Sequence, residues 1–340
     1  MAGQPARVVR IQVGKFPKSI WLVVAIPLLI VILVIGLMAA GILAPAFYTV
    51  SRAVKETDNR TPPTVSKKET EKSWAAVTLD FGKEGIGPGS FTDARSIGVD
   101  ATGKIYVGEY SGGRIQVFDP DGKFLTQWSV GDRKTLIRGL AADRKGTVYV
   151  VHGGVIDRYK GETGEKLGQL QYENNGFDDV ATSADGGLVA VAHNNRDDII
   201  RFDANGKVVR TIPAAISSAS GDSELSMRVA IDGAGYIYAL GRFNNGVFKF
   251  ASDGKFMTRF GGEGDQPGQL RAPYSIAVDG YGRVYVGDMK GIQVFDANGR
   301  YLALIKPSKG FAFGMVFNDK NELFVIARDH VIKYAVPAQQ

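Results

Sequence analysis

The sequence predicts an all-β fold, a six-bladed β-propeller of four-stranded blades, preceded by one N-terminal transmembrane α-helix. Three observations carry that expectation. A strand-forming pattern, Asp-x-x-Gly-x-Ile-Tyr-Val, recurs through the C-terminal part of the 340 residues. A second pattern, Phe-Asp-x-Asp/Asn-Gly, falls inside most of its copies, and one 25-residue run without a charged side chain precedes them all.

The copies of the first pattern start at Asp100, Asp143, Ser183, Asp232, Asp279 and Asn318, at steps of 43, 40, 49, 47 and 39 residues. Each step is long enough for four short strands and their turns, the content of one propeller blade. The second landmark reads Phe118-Asp119-Pro120-Asp121-Gly122, Phe202-Asp203-Ala204-Asn205-Gly206, Phe250-Ala251-Ser252-Asp253-Gly254 and Phe295-Asp296-Ala297-Asn298-Gly299. Its glycines supply positive φ, its Asp and Asn side chains bond their own backbone, and the flanking Val, Ile, Phe and Tyr alternate as strands do. In the first blade these signals place strands at 96–100, 104–108, 114–119 and 124–128. The sixth copy supplies only three strands, at 314–317, 323–326 and 331–334. An unpaired sheet edge is a hazard, and the one spare strand-like segment is Ala75-Ala76-Val77-Thr78-Leu79-Asp80-Phe81. That segment is expected to complete the last blade, closing a propeller over residues 74–338.

Ahead of the repeats, the uncharged run covers residues 20–44, and the membrane segment is drawn at 20–46. A hydrocarbon core of about 30 Å needs roughly 20 apolar residues in a helix. The 1–19 arm carries Arg7, Arg10, Lys15 and Lys18 with no acid, whereas Arg52, Lys55 and Arg60 beyond the run are interleaved with Glu56 and Asp58. The positive-inside rule then keeps the N-terminus cytoplasmic and the large domain extracytoplasmic, periplasmic or extracellular. A cleaved signal peptide is the competing reading, supported by Ala44-Pro45-Ala46, but the run exceeds the usual apolar stretch of such peptides. Residues 47–73, polar and holding Pro62-Pro63, read as a stalk.

Several of these segments resemble the NHL-repeat family. Phe81-Gly82-Lys83-Glu84-Gly85-Ile86-Gly87-Pro88-Gly89-Ser90-Phe91, Ile97-Gly98-Val99-Asp100 and Arg114-Ile115-Gln116-Val117-Phe118 follow its consensus, as do Phe260-Gly261-Gly262-Glu263-Gly264 and Ser275-Ile276-Ala277-Val278-Asp279. The resemblance implies the six-bladed fold and three kinds of role: an extracytoplasmic sensor or adhesion module, a protein- or RNA-binding platform, or a metal-dependent lyase. Its motifs specify fold rather than activity.

Composition narrows the roles. With no cysteine, a disulfide framework, a thiol nucleophile and a Cys-ligated zinc are excluded. A net charge of +6, partly from the N-terminal arm, and no stripe of Lys and Arg with aromatics make nucleic acid an unexpected partner. No serine elbow, phosphate loop or dinucleotide fingerprint is present. The zinc alternative, a lyase or hydrolase, rests on His152 and His193, which share the slot at the end of the second strand, with Asp178 or Asp179 at the start of the neighbouring strand. Against it, Glu109 and Asp288 occupy the same slot in other blades, which suits a hydrogen-bonded turn cap. The favoured expectation is no cofactor and no catalysis, but a protein-binding scaffold using the face where loops gather. The residues expected there are Arg95, Arg114, Arg138, Asp178, Arg196, Arg228, Arg242, Phe243, Tyr274 and Arg328, because arginine and aromatic side chains are the usual interface anchors. The expected partner is a membrane-associated or extracytoplasmic protein, possession of a ligand-sensing role being the further alternative.

Overall fold

A computed structural model describes residues 74–173, 175–193 and 196–338. The arm, membrane segment and stalk expected over residues 1–73 lie outside the described residues. Among the described residues no helix is long and apolar enough to cross a membrane.

The described chain forms six four-stranded antiparallel sheets. Blade I holds β2 (Ala94–Val99), β3 (Ile105–Glu109), β4 (Arg114–Phe118) and β5 (Phe124–Ser129), after β1 (Ala76–Phe81). Blade II holds β6 (Ile137–Ala142), β7 (Thr147–His152), β8 (Val155–Lys160) and β9 (Lys166–Gln169). Blade III holds β10 (Phe177–Thr182), β11 (Leu188–Ala192), β12 (Asp198–Phe202) and β13 (Val208–Ile212). A short helix, α1 (Ala215–Ser220), leads to blade IV, β14 (Met227–Ile231), β15 (Ile237–Gly241), β16 (Gly246–Phe250) and β17 (Phe256–Gly261). Blade V holds β18 (Ser275–Val278), β19 (Val284–Asp288), β20 (Gly291–Phe295) and β21 (Tyr301–Ile305); blade VI holds β22 (Gly314–Phe317), β23 (Glu322–Ile326) and β24 (Val331–Ala335).

The missing strand of blade VI is β1, which pairs antiparallel with β24, from Ala76 opposite Ala335 to Phe81 opposite Val331. The first described strand and the last thus share one sheet. A second tie crosses the same seam, where the Ala94 amide donates to the Arg328 carbonyl at 2.8 Å.

The core lies between blades. Each of six buried clusters joins one blade to the next; Phe91, Ile97, Ile105 and Phe118 of the blade I side, for example, meet Phe324, Ile326 and Val331 of blade VI. Middle strands are therefore packed on both faces, and β3, β11, β15 and β19 are buried at every position. Outer strands alternate instead, as in β5.

Two repeated contacts explain the sequence pattern. The Asp that opens each repeat accepts backbone N–H bonds two and four residues on, and its second oxygen takes the hydroxyl of the Tyr six residues on: Asp100 to Tyr106 at 2.8 Å, Asp232 to Tyr238 at 3.1 Å, Asp279 to Tyr285 at 3.3 Å. Burial, reinforced by the carboxylate, drives these hydroxyls' pKa values up, as it does for Tyr149, raised to about 12. In blades III and VI the Asp becomes Ser183 or Asn318 and the Tyr becomes Val189 or Phe324, so both partners vary together. The turn glycines have a second duty besides positive φ. A Cβ on Gly122 (φ 80°) would meet the Phe81 ring at 2.5 Å, and one on Gly299 (φ 85°) the Phe260 ring at 2.5 Å. Each such turn receives the last aromatic or aliphatic side chain of the preceding blade.

Phe81 both ends β1 and packs on Phe118 of blade I, ring centroids 4.9 Å apart. Phe81→Ala is expected to cost about 2–4 kcal/mol in chemical denaturation, whereas Val209→Ala on the exposed perimeter should stay within about 0.5 kcal/mol.

Candidate functional site

Antiparallel order sends the second-to-third-strand turns and the blade-to-blade loops to one face of the ring. The innermost strands start on that face, and their first residues surround the mouth of a central channel of about 180 Å³. Blades I to III share a local irregularity there. The pairing skips Arg95 between Ala94 and Ser96, Arg138 between Ile137 and Gly139, and Asp178 between Phe177 and Asp179. Such bulges re-aim a side chain out of the ladder. Three of the residues expected at the site are therefore the extra residue of a β-bulge; the side chains of Arg95 and Arg138 turn to the rim, and that of Asp178 is buried behind it.

Arg95 is held by Asp93 through two bonds of 2.9 and 2.8 Å and lies over the Tyr110 ring at 4.1 Å, with the Phe313 ring 5.5 Å away. Phe313 continues into an aromatic group with Tyr274 and Phe311, centroids 5.2 to 6.2 Å apart. Arg138 donates to Asp178 Oδ1 at 3.0 Å. Arg228 belongs to blade IV, whose inner strand has no bulge, and its side chain crosses the mouth: Nε donates to the Tyr274 carbonyl, and Nη1 to the carbonyls of Arg138 and Asp178. One guanidinium thus ties blades II, III, IV and V together. Arg242 donates to the Pro273 carbonyl and to Ser226 Oγ; burial, with the Arg228 charge second, holds its pKa below its ordinary value.

The sequence places Asp178 at the mouth, but Asp179 is the carboxylate that lines the channel. The bulge exchanges the two directions. Asp178 lies behind the rim, where Oδ2 accepts the Met227 amide at 3.1 Å and stands 2.8 Å from His193 Nδ1. Asp179 fits because blade II offers Gly139, on which a Cβ would come within 2.5 Å of Asp179 Oδ1. Burial raises the Asp179 pKa from 3.8 to about 6, against the attraction of Arg228 and the Val229 amide.

The slot at the end of the second strand binds the loop face together. Glu109 accepts the Thr92 amide and hydroxyl and the Arg114 Nε; hydrogen bonds from these groups outweigh burial and hold its pKa below the usual value. Asp288 accepts the Arg271 and Lys290 amides. In blade IV the slot is Gly241, and the carboxylate comes from the preceding loop: Glu224, 3% exposed, accepts the amides of Leu225, Ser226, Phe243 and Asn244. A Cβ on Gly241 would stand 2.7 Å from Glu224 Oε2. In blade III, Asp197 accepts the Ile216 and Ser217 amides of α1. No sequence signal marks Glu224 or Asp197, since each also accepts amides about twenty residues along the chain.

Other expected residues do different work. Arg114 is half-buried and bonds Glu109 and the carbonyls of Ile86 and Ser90, so it orders its own loop. Arg196 is exposed beside Asp198 at 3.4 Å. Arg328 takes positive φ (65°) and contributes its carbonyl at the seam. Phe243 is 64% exposed on the loop face. His152 Nε2 faces Asp157 Oδ2 at 2.9 Å, and His193 faces Asp178, so each imidazole is directed at its own carboxylate. Among the described residues no group of three His, Cys, Asp or Glu stands close enough to hold a metal ion.

No protein-family model matches the chain. A stretch of 85 residues, 24% of the chain, is 33% identical to protein lin-41 of Caenorhabditis elegans and spans 7% of that protein. Among solved structures, XC5397 from Xanthomonas campestris, a gluconolactonase important in glucose secondary metabolic pathways, aligns with a TM-score of 0.57 over 77% of this chain and 99% of its own, at 16% identity. The WD40 propeller domain of Doa1 aligns at 0.52 over 77% and 97%, at 12% identity. At such identities the likeness is one of fold.

Because the folded state holds the Asp179 proton more tightly than the unfolded chain does, the contribution of Asp179 to stability falls as pH rises from about 4 to about 6 and is then level. The penalty above pH 6 is at most roughly 3 kcal/mol. Asp179→Asn is therefore expected to melt at higher temperature than wild type at pH 8 and at the same temperature at pH 4. A lower melting temperature at pH 8 would show that attraction to Arg228 outweighs the burial cost.

Proposed function

We propose that the chain is a non-catalytic docking module, an NHL-type propeller tethered to a membrane through residues 20–46 and holding a membrane-associated or extracytoplasmic protein on its loop face. One observation carries the reading. Ile86, Leu136, Leu225, Phe243, Met289 and Phe311 are each at least 40% exposed, and all lie on loops of that single face, among Arg95, Arg138 and Arg242. Aromatic, methionine and arginine side chains within a polar rim form the composition of a protein interface. The tether is supported by the length of the uncharged run and by the basic arm before it, which together favour an extracytoplasmic propeller.

Catalysis finds less support. The histidines of the zinc alternative are directed at separate carboxylates, and the channel mouth is spanned by Arg228 bonded to backbone carbonyls rather than presented to a substrate. The likeness to a gluconolactonase extends to the fold and supplies no ligand set.

The test is crosslinked capture of partners from membranes by the full-length chain. Phe243→Ser with Phe311→Ser should reduce recovery of the captured protein about tenfold or more. Leu167→Ser with Val209→Ser, exposed on outer strands of the perimeter, should leave it unchanged. Equal recovery with both pairs would remove the loop face from the proposal.

A further inference from the structure

Beside the channel, between blades II and III, the loop face holds a second recess. This cleft of about 440 Å³ is bordered by Lys134, Arg138, His152 and His193, with Leu136 and Phe177 as apolar wall. Its charges are layered. The carboxylates form the rear: Asp157 and Asp178 have side chains only 2% exposed. Asp157 is engaged by His152, Tyr159, Gln169 and Lys166, and Asp178 by Arg138, the Met227 amide and His193. The groups at the opening are cationic. Arg138 is 44% exposed and gives one of its five N–H groups to Asp178, and Lys134 lies on an exposed loop.

The imidazoles add a second polarity. His152 turns Nε2 to the Asp157 carboxylate behind it and hydrogen-bonds it at 2.9 Å, whereas His193 Nδ1, 2.8 Å from Asp178, makes no hydrogen bond there. In a neutral ring whose rear nitrogen carries the proton, the outward nitrogen is an acceptor. The cleft therefore offers positive charge from Lys134 and Arg138 and a hydrogen-bond acceptor from His152. A bare anion satisfies only the two cations; an acidic peptide, with carboxylates and backbone N–H groups, satisfies all three.

We infer that this cleft seats an acidic segment of the docked protein, with an Asp or Glu carboxylate against Arg138 and Lys134 and an adjacent backbone amide against His152. The inference rests on the docking reading above and names the chemistry of the partner. A cleft of this volume lies within the range of specific small-ligand sites, enough to fix a short stretch of chain while the exposed apolar loops bury the rest.

The experiment is fluorescence anisotropy of the detergent-solubilised full-length chain with dye-labelled hexaglutamate at low salt, where surface charge is least screened. Hexalysine, hexauridine RNA and inorganic phosphate serve as comparisons. Hexaglutamate is expected to bind and hexalysine not to. Lys134→Glu should weaken binding severalfold, and Lys134→Glu with Arg138→Gln at least about tenfold, with melting temperature close to wild type for the single variant on its exposed loop. His152→Ala should weaken hexaglutamate while leaving any phosphate binding unchanged. Absence of hexaglutamate binding, equal binding by the variants, preference for hexauridine, or displacement of the peptide by equimolar phosphate would each overturn the inference. If partner capture falls in the Phe243 and Phe311 variant but persists with Lys134→Glu and Arg138→Gln, the acidic segment is wrong and the docking face stands. If neither variant affects capture, the docking face itself fails.

Discussion

Closure of the ring by β1 is the constraint from which the rest of the structure follows. Every cluster of the core lies between two blades, so a blade without neighbours on both sides exposes buried strands such as β3 or β19. A linear array of six blades would leave two such faces open. Pairing of β1 with β24 makes the circle covalently continuous except at one hydrogen-bonded seam. Phe81 at the end of β1 packs on Phe118 of blade I, so the closing strand also joins an interblade contact. The backbone bond from Ala94 to Arg328 then locks the loop-face side of the same seam. The inner-strand starts are fixed relative to one another only because that circle is shut.

Within the closed ring, the two faces are satisfied by different chemistry. On one, the Asp–Tyr pairs hold the turns between first and second strands, and each net bond to a buried charged acceptor is worth roughly 1.5–3 kcal/mol. On the other, where loops differ in length, a buried carboxylate supplies the missing acceptors case by case. Glu109 and Asp288 come from the second strand, while Glu224 comes from a loop and enters the volume that Gly241 leaves empty. The requirement is constant, namely partners for backbone amides turned away from water. The residue meeting it moves along the chain. This commitment also bears on chemistry, because a carboxylate consumed by several amides is a poor proton acceptor.

Those differences decide what was legible in the sequence. The six repeats, the strands of blade I within two residues, and the strand completing blade VI followed from patterns local to each repeat: period-two alternation and glycine turns. The loop face followed as well, because antiparallel order assigns loops to faces without further information. What stayed hidden depended on register or on distant partners. A bulge adds one residue without altering composition, so nothing in Asp178-Asp179 indicates that the second residue lines the channel. Nothing in Gly241 announces a carboxylate supplied from position 224, and six residues of α1 stabilised by Asp197 are too short to show helical periodicity against their polar surroundings.

The bulges also decide which charges reach the surface. In a regular strand, the first inner residue of each blade would point either into the interblade core or along the channel, and a charge there would require burial or a plug. By skipping Arg95 and Arg138 in the pairing, blades I and II place those charges on the rim, while in blade III the skipped Asp178 is buried behind it and Asp179 faces the channel. Blade IV lacks the bulge, and its Arg228 does enter the mouth, where carbonyls of three other blades satisfy it. The contrast explains why one arginine becomes part of the scaffold while those of blades I and II remain exposed at the surface.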